Sequence, residues 1–150
     1  IVNEQNMGLA SSSNIALSQC RGQYVMRIDA DDLLSANALG TMLEVMERES
    51  SAVVYPAYLE IDEDEVIVSK EINPRINHHA GCALMDKRMI NEIRFKEGLK
   101  NWDSLDLYNR IRDKKKSYIN EPLWYYRKHS ESLSAKNTPA RRADLKKGCS

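Results

Sequence analysis

Residues 23–29, QYVMRID, form a run rich in β-forming side chains that ends on three carboxylates, Asp29, Asp31 and Asp32, just ahead of a helix-forming stretch. A strand that runs into acids and then a helix is how open α/β sheets present ligands at strand carboxyl ends. Three carboxylates within four residues cannot all ionise cheaply unless a cation neutralises them. Magnesium takes hard oxygen ligands of this kind and often shares them with substrate phosphates, and manganese accepts the same carboxylate and water set. The loop lacks the glycine and closing glutamate of a calcium-binding EF-hand. Taken alone, the cluster reads equally as a solvated turn with an N-cap for a helix starting near Ser35.

The rest of the chain alternates helical and extended patterns. Residues 8–20 carry Leu9, Ile15, Ala16 and Leu17, with N-cap candidates at Ser11 to Ser13 and a stop at Gly22. Residues 36–49 place Leu39, Met42, Leu43 and Met46 at helical spacing. Residues 51–60 read as a buried strand with Pro56 at an edge or strand end. IDEDE and VIVS then predict a turn and the second strand of a hairpin. Residues 72–81 read as a loop, and 82–93 as a short strand and a short helix. After a loop over 94–101, a helix is expected from Asp103 to about Lys114, striped by Leu105, Leu107, Tyr108 and Ile111. SYINE and LWYYRKH predict two short strands. This alternation specifies a mixed α/β domain.

Composition narrows the function classes. The 150 residues suit one domain, and 42% apolar content is ordinary for a globular chain. Acidic and basic residues balance at 22 each, so no global field argues for nucleic acid. Cys20, Cys82 and Cys149 are odd in number and form no CxxC pair, a usage suited to a reducing cytosol. No apolar run approaches the ~18 residues that span a bilayer. Ile1-Val2 is neither an initiator methionine nor a signal peptide, so the chain is expected to be a piece of a longer protein.

Three ordered motifs resemble glycosyltransferase family 2. The first comprises Asn6, Gly8, Leu9, Asn14, Gly22, Tyr24, Val25, Asp29, Asp31 and Asp32. The second is RFKEGLKNWDSLDLYNRI, similar to the family's acidic segment ahead of D-L-x-x-R. The third, EPLWYYRKHSESLS, resembles its Y-R-x-H-x-x-S-x-S ending. Together they span residues 3 to 134. The resemblance implies a partial GT-A fold over 1–134, with the first nucleotide-binding strands missing and a basic tail at 135–150. It implies inverting transfer of a sugar from a nucleotide-diphosphate donor to a saccharide or lipid-linked acceptor in cell-surface polysaccharide or glycolipid synthesis. This fragment alone is expected to be inactive.

The resemblance also assigns roles. Asn6, Gly8, Asn14, Asp29 and Asp31 fall on the donor side. Asp31, with Asp32 and His129, would hold a Mg²⁺ or Mn²⁺ ion bridging the donor diphosphate. Asp103 would be the general base, with Asp106 three residues on along the same helix face. The chain departs from the family where Ser104 stands at the usual base position and Ser13 at a frequent arginine. Either the register shifts to Asp103 or catalysis is impaired, and Asp103 also suits a helix N-cap. His78, His79 and Trp102 are acceptor-lining candidates, though Trp102 equally suits packing at a helix start. Arg127 could pair with phosphate or with a surface acid. Lys136, Arg141, Arg142, Lys146 and Lys147 make either a solvated helix face or a peripheral contact with anionic lipid. The expected location is cytoplasmic, with possible contact at the inner face of the membrane. Two rivals remain: a non-catalytic sugar-nucleotide or glycan-binding module, and a metal-dependent phosphotransferase or hydrolase.

Overall fold

The computed structural model describes residues 2–76, 79–99 and 103–129, with the side chain of Asp103 outside that set. His78, Trp102 and the basic tail therefore lie outside the described residues. Five strands form one sheet: β1 (Tyr24–Met26), β2 (Leu33–Leu34), β3 (Val53–Ile61), β4 (Leu84–Asp86) and β5 (Lys116–Arg127). Their order is β1-β4-β3-β5-β2. β4 pairs antiparallel with both β1 and β3, and β3 pairs parallel with β5. Strands β1, β3 and β5 consequently point the same way and deliver their carboxyl ends to one edge of the sheet. β2 lies antiparallel on the far side of β5.

Helices cover both faces. Along β3, Val53 and Tyr55 enter one cluster with Leu17, Met85, Ile90, Phe95, Leu107 and Ile111. These come from α1 (Leu9–Gln19), α3 (Lys87–Ile93), α4 (Asp103–Arg110) and the segments flanking them. Val54 instead faces α2 (Ala38–Glu49), meeting Met42, Val45 and Met46 together with Leu84 and Leu123. β3 is thus buried on both sides, which explains why VVYPAY reads as a continuous apolar run rather than an alternating one.

Several expectations are corrected. Helix α1 begins at Leu9 after Gly8, whose φ of 78° favours glycine, and Ser11 to Ser13 lie inside the helix rather than capping it. The entry turn is made by Asn6, whose Oδ1 accepts from the Gly8 N–H at 2.9 Å. On α2 the buried stripe is Ala38, Met42, Val45 and Met46, while Leu39 and Leu43 face solvent. On α4 and the turn after it, Leu107 and Ile111 are buried but Leu105 is exposed. Pro56 sits within the central strand, opposite Ile119, where the β3–β5 register is irregular. It is tolerated because β4 pairs only with Val53 and Val54, so at Pro56 one flank of β3 is open. The two short C-terminal strands are one strand, β5, carrying Pro122 through that same irregularity. In place of the expected second hairpin strand, the segment after β3 pairs with it only through isolated Ile61–Ile67 and Tyr58–Ile72 bridges and bonds such as Val68 N–H to the Glu60 carbonyl and Asp62 N–H to the Val66 carbonyl.

Candidate active site

The acidic loop leaves the carboxyl end of β1, and the segment Arg127–His129 leaves the carboxyl end of β5, so the sheet brings them together. His129 Nε2 lies 3.0 Å from Asp31 Oδ2, across 98 residues of sequence. Both groups reach solvent, the Asp31 side chain being 44% exposed and His129 27%. Asp32 points the other way. Its Oδ2 accepts from the Trp124 indole N–H and its Oδ1 from the Arg127 backbone N–H, each at 2.9 Å. Burial pushes its carboxyl up to about 6, against the lowering effect of those two hydrogen bonds. In this motif Asp31 is therefore the side chain that faces solvent, and Asp32 is an internal anchor.

Asp29 is half-buried, with Arg27 Nε 3.8 Å from its Oδ1. The Arg27 guanidinium also lies over the Phe95 ring, 5.4 Å from its centre. A cavity of about 370 Å³ opens between α1 and β1 and reaches Asp29. Its walls are mostly apolar, including Leu17, Val25, Met85 and Phe95, with Ser12 and Ser13 on the helix side.

Other candidates take structural partners. Asn14 is buried. Its amide donates to the Phe95 carbonyl at 2.9 Å and accepts from the Phe95 N–H at 2.9 Å, with a third bond to Glu97 at 3.1 Å. It fastens the loop after α3 to α1. Asp106 is paired with Arg110, whose guanidinium also donates to the carbonyls of Ile93 and Arg94. Ser104 Oγ accepts from the Ala80 N–H at 3.1 Å, tying α4 to the turn Ala80–Cys82. His79 Nδ1 accepts from the Gly81 N–H at 3.1 Å, and its ring sits 4.9 Å from Trp124 and 5.4 Å from Tyr126. Arg127 meets more than the phosphate or surface acid that its sequence context suggests. It donates from Nε to the Asp31 carbonyl at 2.8 Å and from Nη1 to the carbonyls of Asp62 and Glu63. It also pairs with Glu65 at 3.0 Å. Nothing in one-dimensional spacing signals that fan of contacts.

Among the described residues no three His, Cys, Asp or Glu side chains form a ready-made metal cluster. Asp31 and His129 are joined by a direct hydrogen bond, and their separation also suits two ligands of one ion. Adjacent ligands about 2.1 Å from an octahedral cation stand roughly 3 Å apart, which matches the 3.0 Å between Asp31 and His129. Magnesium and manganese sites of this sort are completed by water and substrate phosphate oxygens.

The family model for glycosyl transferase family 2 matches residues 1–115. The chain belongs to glycosyl transferase family 2. Curated relatives agree. It is 24% identical to glycosyltransferase GlyG of Streptococcus pneumoniae serotype 4, over 87% of this chain and 52% of that protein. It is also 24% identical to the minor teichoic acid biosynthesis protein GgaB of Bacillus subtilis, over 90% of this chain and 17% of that one. The crystal structure of Staphylococcus aureus TarS 1-349 in complex with UDP-GlcNAc aligns with a TM-score of 0.69 and 19% identity. That alignment covers 88% of this chain and 42% of TarS, and it establishes the GT-A fold. This family member thus spans about half of GlyG and less of the other two. No helix among its described residues is long and apolar enough to cross a membrane.

Proposed function

We infer that this chain carries the cation-binding and acceptor side of an enzyme that transfers a sugar, with inversion, from a nucleoside diphosphate donor. The acceptor is a saccharide or lipid-linked saccharide, in cell-surface polysaccharide or glycolipid synthesis at the cytoplasmic face of the membrane. One observation carries the reading: the exposed Asp31–His129 pair, 3.0 Å apart at the common edge where β1 and β5 end. Family membership supports it, as do a teichoic acid biosynthesis relative and a fold neighbour crystallised with UDP-GlcNAc.

In this reading Asp29, at the cavity rim, contacts the donor's nucleoside portion, with Asn6 and Gly8 shaping the approach to that side. Asp31 and His129 hold the Mg²⁺ or Mn²⁺ ion, and Asp32 supports them from inside. The cation, when bound, offsets the negative charge of the departing diphosphate. The acceptor hydroxyl oxygen bonds to the anomeric carbon as the bond from that carbon to the diphosphate breaks, giving inversion in one displacement. The hydroxyl proton passes to the Asp103 carboxylate at the start of α4. Ser104, already accepting from Ala80, leaves that role to its neighbour. The acceptor is assigned to His78, His79 and Trp102, and the basic residues of 135–150 either face solvent or contact anionic lipid.

The test is transfer by the protein at its natural length, with a panel of nucleoside diphosphate sugars and Mn²⁺. Asp103→Asn should lower turnover by roughly 10²–10⁴-fold, while Asp31→Asn and His129→Ala should raise the Mn²⁺ requirement. Ser104 at the usual base position motivates a second reading, a non-catalytic binding module. Donor binding without transfer from any sugar would establish that alternative, and release of phosphate from simple phosphoesters would indicate a hydrolase.

A further inference from the structure

We propose that Arg127 is a positioning residue that sets the Asp31–His129 pair by clamping the acidic loop to the turn at the end of β3. This rests on the cation-binding reading above and adds a residue that touches neither the cation nor the sugar. The argument begins with topology. The carboxyl ends of β1, β3 and β5 lie at one edge, and three segments leave there: the acidic loop, the Asp62–Glu65 turn and the strand end bearing His129. Arg127 is the last residue of β5 and lies two positions before His129.

Its guanidinium ties its own strand end to the other two segments. Nε donates to the Asp31 carbonyl at 2.8 Å, Nη1 donates to the Asp62 and Glu63 carbonyls at 3.0 and 3.1 Å, and Nη2 reaches Glu65 at 3.0 Å. Its own backbone N–H donates to Asp32 Oδ1, and Asp32 is fixed from the other side by Trp124, which is 1% exposed. The turn is itself stiffened, since Asp62 Oδ1 accepts from the N–H groups of Asp64 and Val66. Asp31 therefore has its main chain held by Arg127 on one side and its neighbour Asp32 held by Trp124 on the other. Its exposed carboxylate gains a direction that an unrestrained loop would lack. A planar fork with five donors can bridge separated acceptors in this way, and a lysine ammonium on a flexible stem cannot.

Groups that orient a metal ligand without touching the ion typically change metal affinity or activity by about 10–100-fold when altered. Arg127→Lys keeps the charge and loses the fork. The assay is Mn²⁺ binding to the natural-length protein in the presence of a nucleoside diphosphate, followed by electron paramagnetic resonance, alongside the melting temperature. Expected is about 10-fold weaker Mn²⁺ binding for Arg127→Lys, and less than twofold for Glu65→Gln, which loosens only the outer contact. Unchanged Mn²⁺ affinity in Arg127→Lys overturns the proposal, whatever happens to the melting temperature, because a merely structural arginine would lower stability alone. A Glu65→Gln loss equal to that of Arg127→Lys overturns it too, by placing the effect in the turn. Should Arg127→Lys not fold, Arg127→Gln decides: it removes the guanidinium fork while keeping one planar amide donor, and an affinity unchanged from wild type refutes the clamp. A wild-type protein that takes up no Mn²⁺ with any nucleotide defeats the cation reading itself, and the clamp falls with it.

Discussion

Replacing Asn14 by alanine should destabilise the protein without altering how it handles its donor. The resemblance to family 2 places this asparagine on the donor side. In the structure its amide is spent on the backbone of Phe95, a residue only 5% exposed, accepting from its N–H and donating to its carbonyl. Alanine leaves both Phe95 groups without that partner in a buried setting, and removes the bond to Glu97 as well. Each buried group left unpaired costs about 1–3 kcal/mol, so a total of roughly 2–5 kcal/mol is expected. Against a typical stability of about 5–15 kcal/mol that is a large fraction. Urea unfolding should show a lower midpoint at unchanged slope, because the loss lies in the native contacts rather than in the surface exposed. Asn14→Asp should rescue little. A carboxylate can accept from the Phe95 N–H, but it faces the Phe95 carbonyl and Glu97 with no donor. KM for the donor should stay within about twofold of wild type in the folded fraction, since Asn14 makes uniform structural contacts rather than ligand contacts. An unfolding midpoint unmoved by Asn14→Ala, together with a raised KM, would show that the side chain binds donor and that the clamp is incidental.

Other expectations follow from the same geometry. A Cβ at Gly81 would stand 2.7 Å from His79 Nδ1, with that ring wedged against Trp124, so Gly81→Ala should cost about 1–3 kcal/mol in thermal unfolding. A loss below about 0.5 kcal/mol would mean the ring moves freely. Cys82 is fully buried and its thiol is pushed up to about 12 by burial, so it stays protonated at pH 8. Iodoacetamide applied to the native protein should leave Cys82 unmodified by mass spectrometry until denaturant is added. Asp106→Asn breaks the ion pair with Arg110 but should keep turnover within about threefold of wild type, because a part-exposed i,i+4 pair contributes only about 0.3–0.5 kcal/mol. A collapse in turnover matching that of Asp103→Asn would make Asp106 part of the chemistry.

What could be read from the sequence followed a physical rule. Periodicity locates α1, α2 and α4 because each has one face in the core, and the strand-then-acids pattern of residues 23–32 locates β1 and the acidic loop after it. On α2 the spacing rightly marks Met42 and Met46, but Leu39 and Leu43 fit the same apolar period and hydropathy does not tell them from core positions. Only the position of the sheet shows that Met42 and Val45 go inward while Leu39 and Leu43 do not. β5 read as two strands because Pro122 normally interrupts pairing, and the matching irregularity opposite it in β3 cannot be seen from either segment alone. The roles within the acid cluster were hidden for a similar reason. Asp31 and Asp32 are the same residue type, and what separates them is an indole and a backbone N–H delivered from residues 124 and 127.

That separation gives the site a particular dependence on folding. The solvent-facing Asp31 comes from early in the chain and its histidine partner from 98 residues later. They are joined by the sheet, where β2 just after the acidic loop pairs with β5, and by the hydrogen bonds that Asp31 and Asp32 make with Arg127 and Trp124. Neither the acidic loop nor the His129 segment can present a paired site until β5 has docked against β2 and the loop. The loop also lacks its internal anchors until Trp124 and Arg127 arrive. A ligand that grips both Asp31 and His129 binds the folded chain and not the unfolded one, so it must stabilise the whole domain by mass action. At a concentration 100 times its dissociation constant this amounts to about 2.7 kcal/mol. Mn²⁺ with a nucleoside diphosphate should therefore raise the melting temperature of the wild-type protein, and Asp31→Asn should abolish most of that rise while leaving the unliganded melting temperature nearly unchanged. The same substitution at Asp32 should lower the unliganded value, because there the carboxylate holds the fold. Equal effects at the two positions would mean that the division between an outward ligand and an inward anchor is mistaken.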